Sequence, residues 1–89
     1  MNELKLSGEL TFNSVASVLQ NVIKGIDECH GKNIHVDLAN IKNADSSALA
    51  LMLEGKRYAT RKGLELSYTG VPSEIERLAT FCRVKNLLF

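Results

Sequence analysis

Three short runs of alternating apolar and polar residues, 4–10, 34–38 and 64–68, are each followed by a longer segment in which apolar residues recur at helical spacing. Alternation with period two marks a strand with one buried face, and a period near 3.6 marks a helix with one buried stripe. A strand, a helix and a second strand in succession require a crossover, because parallel neighbours cannot be joined by a tight turn. Such crossovers are almost always right-handed. The pattern therefore confines the chain to an α/β sandwich with a mixed, mostly parallel sheet. Helices lie mainly on one face, since strands covered on both faces would be continuously apolar. With 89 residues the chain is long enough for one core and no second one, so residues 1–89 form a single domain.

Within this frame, Leu4 and Leu6 set the first strand, Gly8 marks a bulge and Leu10 resumes the alternation. Thr11, Phe12, Asn13 and Ser14 supply capping residues for a first helix. That helix carries Val15, Val18, Leu19, Val22 and Ile26 on its apolar stripe and ends near His30-Gly31. Ile34, Val36 and Leu38 form the second strand, and residues 40–44 read as a loop. A second helix follows over residues 46–62, with Lys56, Arg57, Arg61 and Lys62 beside its negative end and Gly63 stopping it. Leu64, Leu66 and Tyr68 form the third strand, closed by Thr69-Gly70. Ser73 and Glu76, with Pro72 just ahead, have capping-box spacing for a third helix whose stripe is Ile75, Leu78, Ala79 and Cys82. The first strand starts almost at Met1, so nothing before it in this chain covers its edge.

Eleven Lys and Arg against ten Asp and Glu leave a net charge of +1, which argues against nucleic acid and acidic membranes as partners. No apolar run approaches the roughly 20 residues of a membrane span, and no leader pattern precedes the first strand, so direct membrane insertion is not expected and the location reads as cytoplasmic. Cys29 and Cys82 are far apart and read as reduced structural thiols. The glycine-rich phosphate loops are missing. His30 and His35 have no second ligand at metal spacing, and no histidine lies near Ser46 in sequence to suggest a nucleophile pair. The chain reads as neither enzyme nor metal or cofactor binder.

The most informative stretch is residues 43–53. Asp45, Ser46 and Ser47 stand where a strand-like run gives way to the second helix. Short polar residues there either cap the helix or present a recognition surface, and composition alone leaves both open. At helical spacing, Ala48, Leu49, Met52, Gly55 and Ala59 form the core face, with Ala50, Glu54, Arg57 and Arg61 opposite. Leu51 and Tyr58 form a flanking stripe. It either packs on a neighbouring helix or borders a partner-binding patch beside Ser46, Ser47, Ala50 and Glu54. Alanines at 48 and 50 let another backbone approach the helix start.

Asp45-Ser46-Ser47-Ala48-Leu49-Ala50 resembles the Asp-Ser-Ser-Gly-Leu-Gly signature of STAS domains, the SpoIIAA-like fold of bacterial anti-sigma-factor antagonists. Leu6-Ser7-Gly8-Glu9-Leu10 resembles the turn before that family's first helix, and Ile34-His35-Val36-Asp37-Leu38 resembles its central strand. Two branches of the family imply different roles. In the antagonists the serine after the Asp, here Ser46, is phosphorylated by a serine-kinase anti-sigma factor, which adds about −1.5 to −2 charge. In the MlaB-type subunits of phospholipid-transport (lipid asymmetry) ABC complexes, which serve outer-membrane maintenance, the domain binds the cytoplasmic ATPase through the start of the second helix.

The apolar run Leu49-Ala50-Leu51-Met52-Leu53 is similar to the second branch. Ala48 and Ala50 stand where the antagonists have glycine; their methyls strengthen the helix and narrow a kinase's approach. The resemblance thus implies a non-catalytic subunit, peripheral to the inner membrane through its ATPase partner. Its contacts would be Asp45, Ser46, Ser47, Ala50, Leu51 and Glu54. The family commonly begins with an additional edge strand, and this chain opens on what would be the second.

Overall fold

The computed structural model describes residues 2–89. Strands β1 (Glu3–Leu10), β2 (Asn33–Ala44) and β3 (Glu65–Thr69) alternate with helices α1 (Val15–Asp27), α2 (Ser47–Arg61) and α3 (Ser73–Phe81); a single turn, α4 (Lys85–Leu88), follows. The strands lie in the order β1-β2-β3, and both described pairings are parallel. Two right-handed crossovers that step in the same direction place α1 and α2 on the same side of the sheet. The residue rows agree. Leu4, Val36 and Tyr68 lie side by side on the covered phase, while Glu3, His35 and Ser67, then Lys5, Asp37 and Thr69, form the polar phase. On that polar face His35 Nδ1 and Ser67 Oγ share a hydrogen bond of 2.8 Å.

The buried cluster joins Leu6, Leu10, Ile34, Val36, Leu38, Ile41, Leu66 and Tyr68 of the sheet to Val22 and Ile26 of α1. Ala48, Leu49, Leu51, Met52 and Ala59 of α2 complete its centre, with Ile75, Ala79 and Leu88 closing one side. Tyr68 is seated with its hydroxyl donating to the Met52 carbonyl at 2.7 Å. Burial pushes the Tyr68 phenol above its usual value.

Several boundaries differ from the sequence reading. The expected loop at residues 40–44 is the second half of β2, paired with β1 from Ser7–Asn40 to Leu10–Ala44. Register shifts between Lys5 and Ser7 and between Gly8 and Glu9 put two exposed residues, Ala39 and Asn40, between buried Leu38 and Ile41. That break hides the period of two, and Gly8, at φ +86°, supplies the expected bulge. Helix α1 ends at Asp27, earlier than His30-Gly31, and Gly31 at φ +95° serves the turn into β2. The Ser73–Glu76 capping box does not form. Pro72 occupies the cap position, Ser73 is already helical, and Glu76 reaches Lys85 at 3.6 Å. Cys82 lies past the end of α3 and is exposed, not part of its stripe. Helix α4 is too short to show a period in the sequence, yet its Leu88 is fully buried.

Candidate functional site

The carboxyl ends of the strands and the amino ends of α1, α2 and α3 meet at one end of the sandwich, where parallel α/β sheets usually place their sites. Asp45 organises this end. Its N–H donates to the Leu10 carbonyl at 3.3 Å, and its own carbonyl accepts from the Ala48 N–H at 2.9 Å. Its carboxylate takes two more donors: Oδ2 accepts from the Phe12 N–H at 3.1 Å and Oδ1 from the Ser47 N–H at 2.8 Å. The Phe12 N–H first, and then the Ser47 N–H, hold this carboxyl below its ordinary value of 3.8, so it is ionised at neutral pH. One side chain thus ties the β1–α1 turn to the first turn of α2.

The cap of α2 is therefore Asp45 and not the serines. Ser46 holds the N-cap position in helical conformation, makes no side-chain capping bond, and is exposed. Ser47 is half-buried and begins the helix. Three neighbouring bonds brace the same end. Glu74 Oε1 accepts from the Ala44 N–H at 3.1 Å, fastening the end of β2 to the start of α3. Ser14, expected to cap α1, makes no capping bond. Instead its hydroxyl accepts from the Thr11 N–H at 3.0 Å and donates to the Glu9 carbonyl at 2.8 Å.

The other sequence-predicted contacts divide by helical phase. Ala50 is exposed on the same stripe as Ser46, and Glu54 is half-buried beside Arg57, 3.5 Å away. Leu51 is 1% exposed and belongs to the core, so it does not reach a partner. Tyr58, on the same stripe, is engaged within the domain: its hydroxyl donates to Asp27 Oδ1 at 2.7 Å, with Lys62 Nζ 3.8 Å from that oxygen. The flanking stripe thus packs inward. Ala48 is also fully buried, so of the two alanines only Ala50 shapes an approaching surface.

Sequence reasoning missed Phe12 as part of this site. It is 80% exposed and sits one hydrogen bond from Asp45. The signal was present: a large apolar residue alone among Thr11, Asn13 and Ser14, outside the phase of both flanking elements. Grooves lie on the outer side of α3 by Phe81 and between α2 and α4 by Arg57 and Leu87, and a small one runs beside the site along residues 41–44 and Glu74. Among the described residues no three His, Cys, Asp or Glu gather into a metal-binding group, and no helix is long and apolar enough to cross a membrane. A braced, outward-facing helix start suits contact with another protein.

Comparison with known proteins agrees with this architecture. The family described as "Mlab, STAS domain" matches residues 2–88. No curated protein sequence matches the chain. Among solved structures, the anti-sigma factor antagonist SpoIIAA in its unphosphorylated form is similar with a TM-score of 0.60 and 19% identity, over 83% of this chain and 68% of that one. A crystal structure titled Mglu is similar with a TM-score of 0.59 and 20% identity, over 79% of this chain and 17% of that one. At such identities the structural likeness speaks for the fold, while the family match spans nearly the whole chain. Together with the Asp45-Ser46 helix start, these findings identify the chain as a STAS domain of the Mlab family, whose fold generally serves as a regulatory or interaction module.

Proposed function

We propose that this STAS domain is a non-catalytic subunit that binds the cytoplasmic ATPase of a phospholipid-transport ABC complex and supports its assembly and activity. It would sit at the inner membrane only through that partner. The contact surface is the start of α2, with Ser46 at its centre and Asp45, Ser47 and Ala50 around it; Glu54 borders it further along the helix. The observation that carries this reading is the exposed Ser46 hydroxyl, free of any capping role, on a helix start that the Asp45 carboxylate holds in place. A preorganised polar group loses little freedom on binding. The Mlab name of the matching family supports the Mla-type reading of the partner.

A second reading draws on the same hydroxyl and on the likeness to SpoIIAA: an anti-sigma antagonist switched by phosphorylation of Ser46. Affinity purification from detergent-solubilised membranes, with mass spectrometry of the partners and of the Ser46 peptide, separates the two. The first reading expects an ABC ATPase and unmodified Ser46; recovery of a serine kinase with phosphorylated Ser46 replaces it. Ser46→Arg should weaken ATPase binding about 10-fold or more while leaving the fold intact, since the side chain is exposed. Unchanged binding would remove Ser46 from the interface.

A further inference from the structure

Large apolar side chains on a surface are unremarkable when they sit on mobile loops. Phe12 does not. The turn that carries it is closed by the Ser14 and Val15 N–H groups, both donating to the Thr11 carbonyl at 3.0 and 2.8 Å. The Ser14 hydroxyl fills the turn from inside, bonded to the Thr11 N–H and the Glu9 carbonyl. Phe12 itself is pinned through its N–H to the Asp45 carboxylate, the group that also bonds the Ser47 N–H next to Ser46. Five hydrogen bonds therefore hold in place the backbone of a ring that is 80% exposed. Rigid aromatic side chains of this kind are the usual anchors of protein interfaces, because they bring large area at small entropic cost.

The surrounding charge describes what receives the ring. Glu9 and Glu74 are exposed at this end of the sandwich and Asp45 is ionised, with Lys42 the cation that opposes them on β2. The basic residues of α2, Lys56, Arg57 and Arg61, stand on its far half. The chain is nearly neutral overall, but acidic groups outnumber basic ones around this turn.

We infer that Phe12 is the apolar anchor of the interface centred on Ser46, and that it enters an apolar pocket with a basic rim on the partner. This rests on the reading of the partner as an ABC ATPase. Asp45 is the positioning residue that sets the ring and the Ser46 hydroxyl at a fixed spacing, so that only a surface with pocket and polar group in matching register binds. The bond to Asp45 comes from the Phe12 backbone, so truncating the ring leaves the clamp intact.

The test titrates the ATPase that co-purifies with the wild-type chain onto immobilised wild-type, Phe12→Ala, Phe12→Leu, Glu9→Lys and Ser46→Arg chains. Phe12→Ala should raise Kd by about 10- to 100-fold with an unchanged urea midpoint, and Phe12→Leu should restore most of the affinity. Glu9→Lys should slow association and flatten its salt dependence. If Phe12→Ala binds within about twofold of wild type while Ser46→Arg does not bind, the anchor is refuted and the docking site stands. A Glu9→Lys chain with unaltered association refutes the basic rim. If the wild-type chain captures no ABC ATPase, the partner reading falls and the anchor falls with it.

Discussion

Helix α2 presents the site at one end and is registered on the sheet near its middle, where Gly55 faces Tyr68. A Cβ at position 55 would lie 2.7 Å from the Tyr68 hydroxyl and 3.4 Å from Val22 Cγ1. Two effects oppose each other in Gly55→Ala. Alanine in a helix interior is favoured over glycine by about 1 kcal/mol. Against this, the phenol must move, and it is not free to do so: the ring is buried and its hydroxyl donates to the Met52 carbonyl at 2.7 Å.

Losing that bond and stranding the hydroxyl costs about 1–3 kcal/mol, and crowding a filled core adds roughly 1 kcal/mol. The net expectation is destabilisation by about 2 kcal/mol, read from urea unfolding with the slope held constant. A double-mutant cycle locates the cause. Tyr68→Phe alone should cost about 1 kcal/mol for the lost hydrogen bond. In the Gly55→Ala chain the same change should instead recover at least ~1 kcal/mol, because the clashing oxygen is gone. A Gly55→Ala chain as stable as wild type, or no recovery in the double variant, would show that Tyr68 does not set the spacing of α2 from the sheet.

Asp45 should give the site an acid sensitivity of definite sign. Its folded-state carboxyl lies below the ordinary value of 3.8, so its contribution is complete above that value and is lost as pH falls through the folded one. Asp45→Asn should therefore show a urea midpoint deficit at pH 6 that shrinks below about pH 4, with faster amide exchange at Phe12 and Ser47; a deficit independent of pH would refute the carboxylate clamp. Gly70, in the turn after β3, has φ +60°, and a Cβ there would meet Asp37 Oδ1 at 2.7 Å and Ala39 Cβ at 2.9 Å. Gly70→Ala should cost about 2 kcal/mol in urea unfolding, from left-handed strain plus crowding; a loss under ~0.5 kcal/mol would count against that geometry.

The sequence determined the strand–helix order, the parallel sheet with one covered face, the core stripe of α2 and the family itself. Each of these rests on local periodicity or a contiguous motif, which residues close in the chain display by themselves. It also pointed to Asp45 and Ser46, because strand end and helix start adjoin there. What tertiary structure decided was which of these groups is occupied and which is free. The Asp45 carboxylate is shared between the Ser47 N–H, whose bond leaves the Ser46 hydroxyl without a capping role, and the Phe12 N–H, 33 residues away.

Leu51 joined the common buried cluster, and residues 40–44 became strand because β1 bulges in register with them. Phe12 looked like one more turn residue until its partner across the fold was known. Long-range hydrogen bonds and the burial supplied by distant elements carry no sequence period. The candidate site was therefore legible in outline, and its division into carboxylate clamp, free hydroxyl and exposed ring came only with the fold.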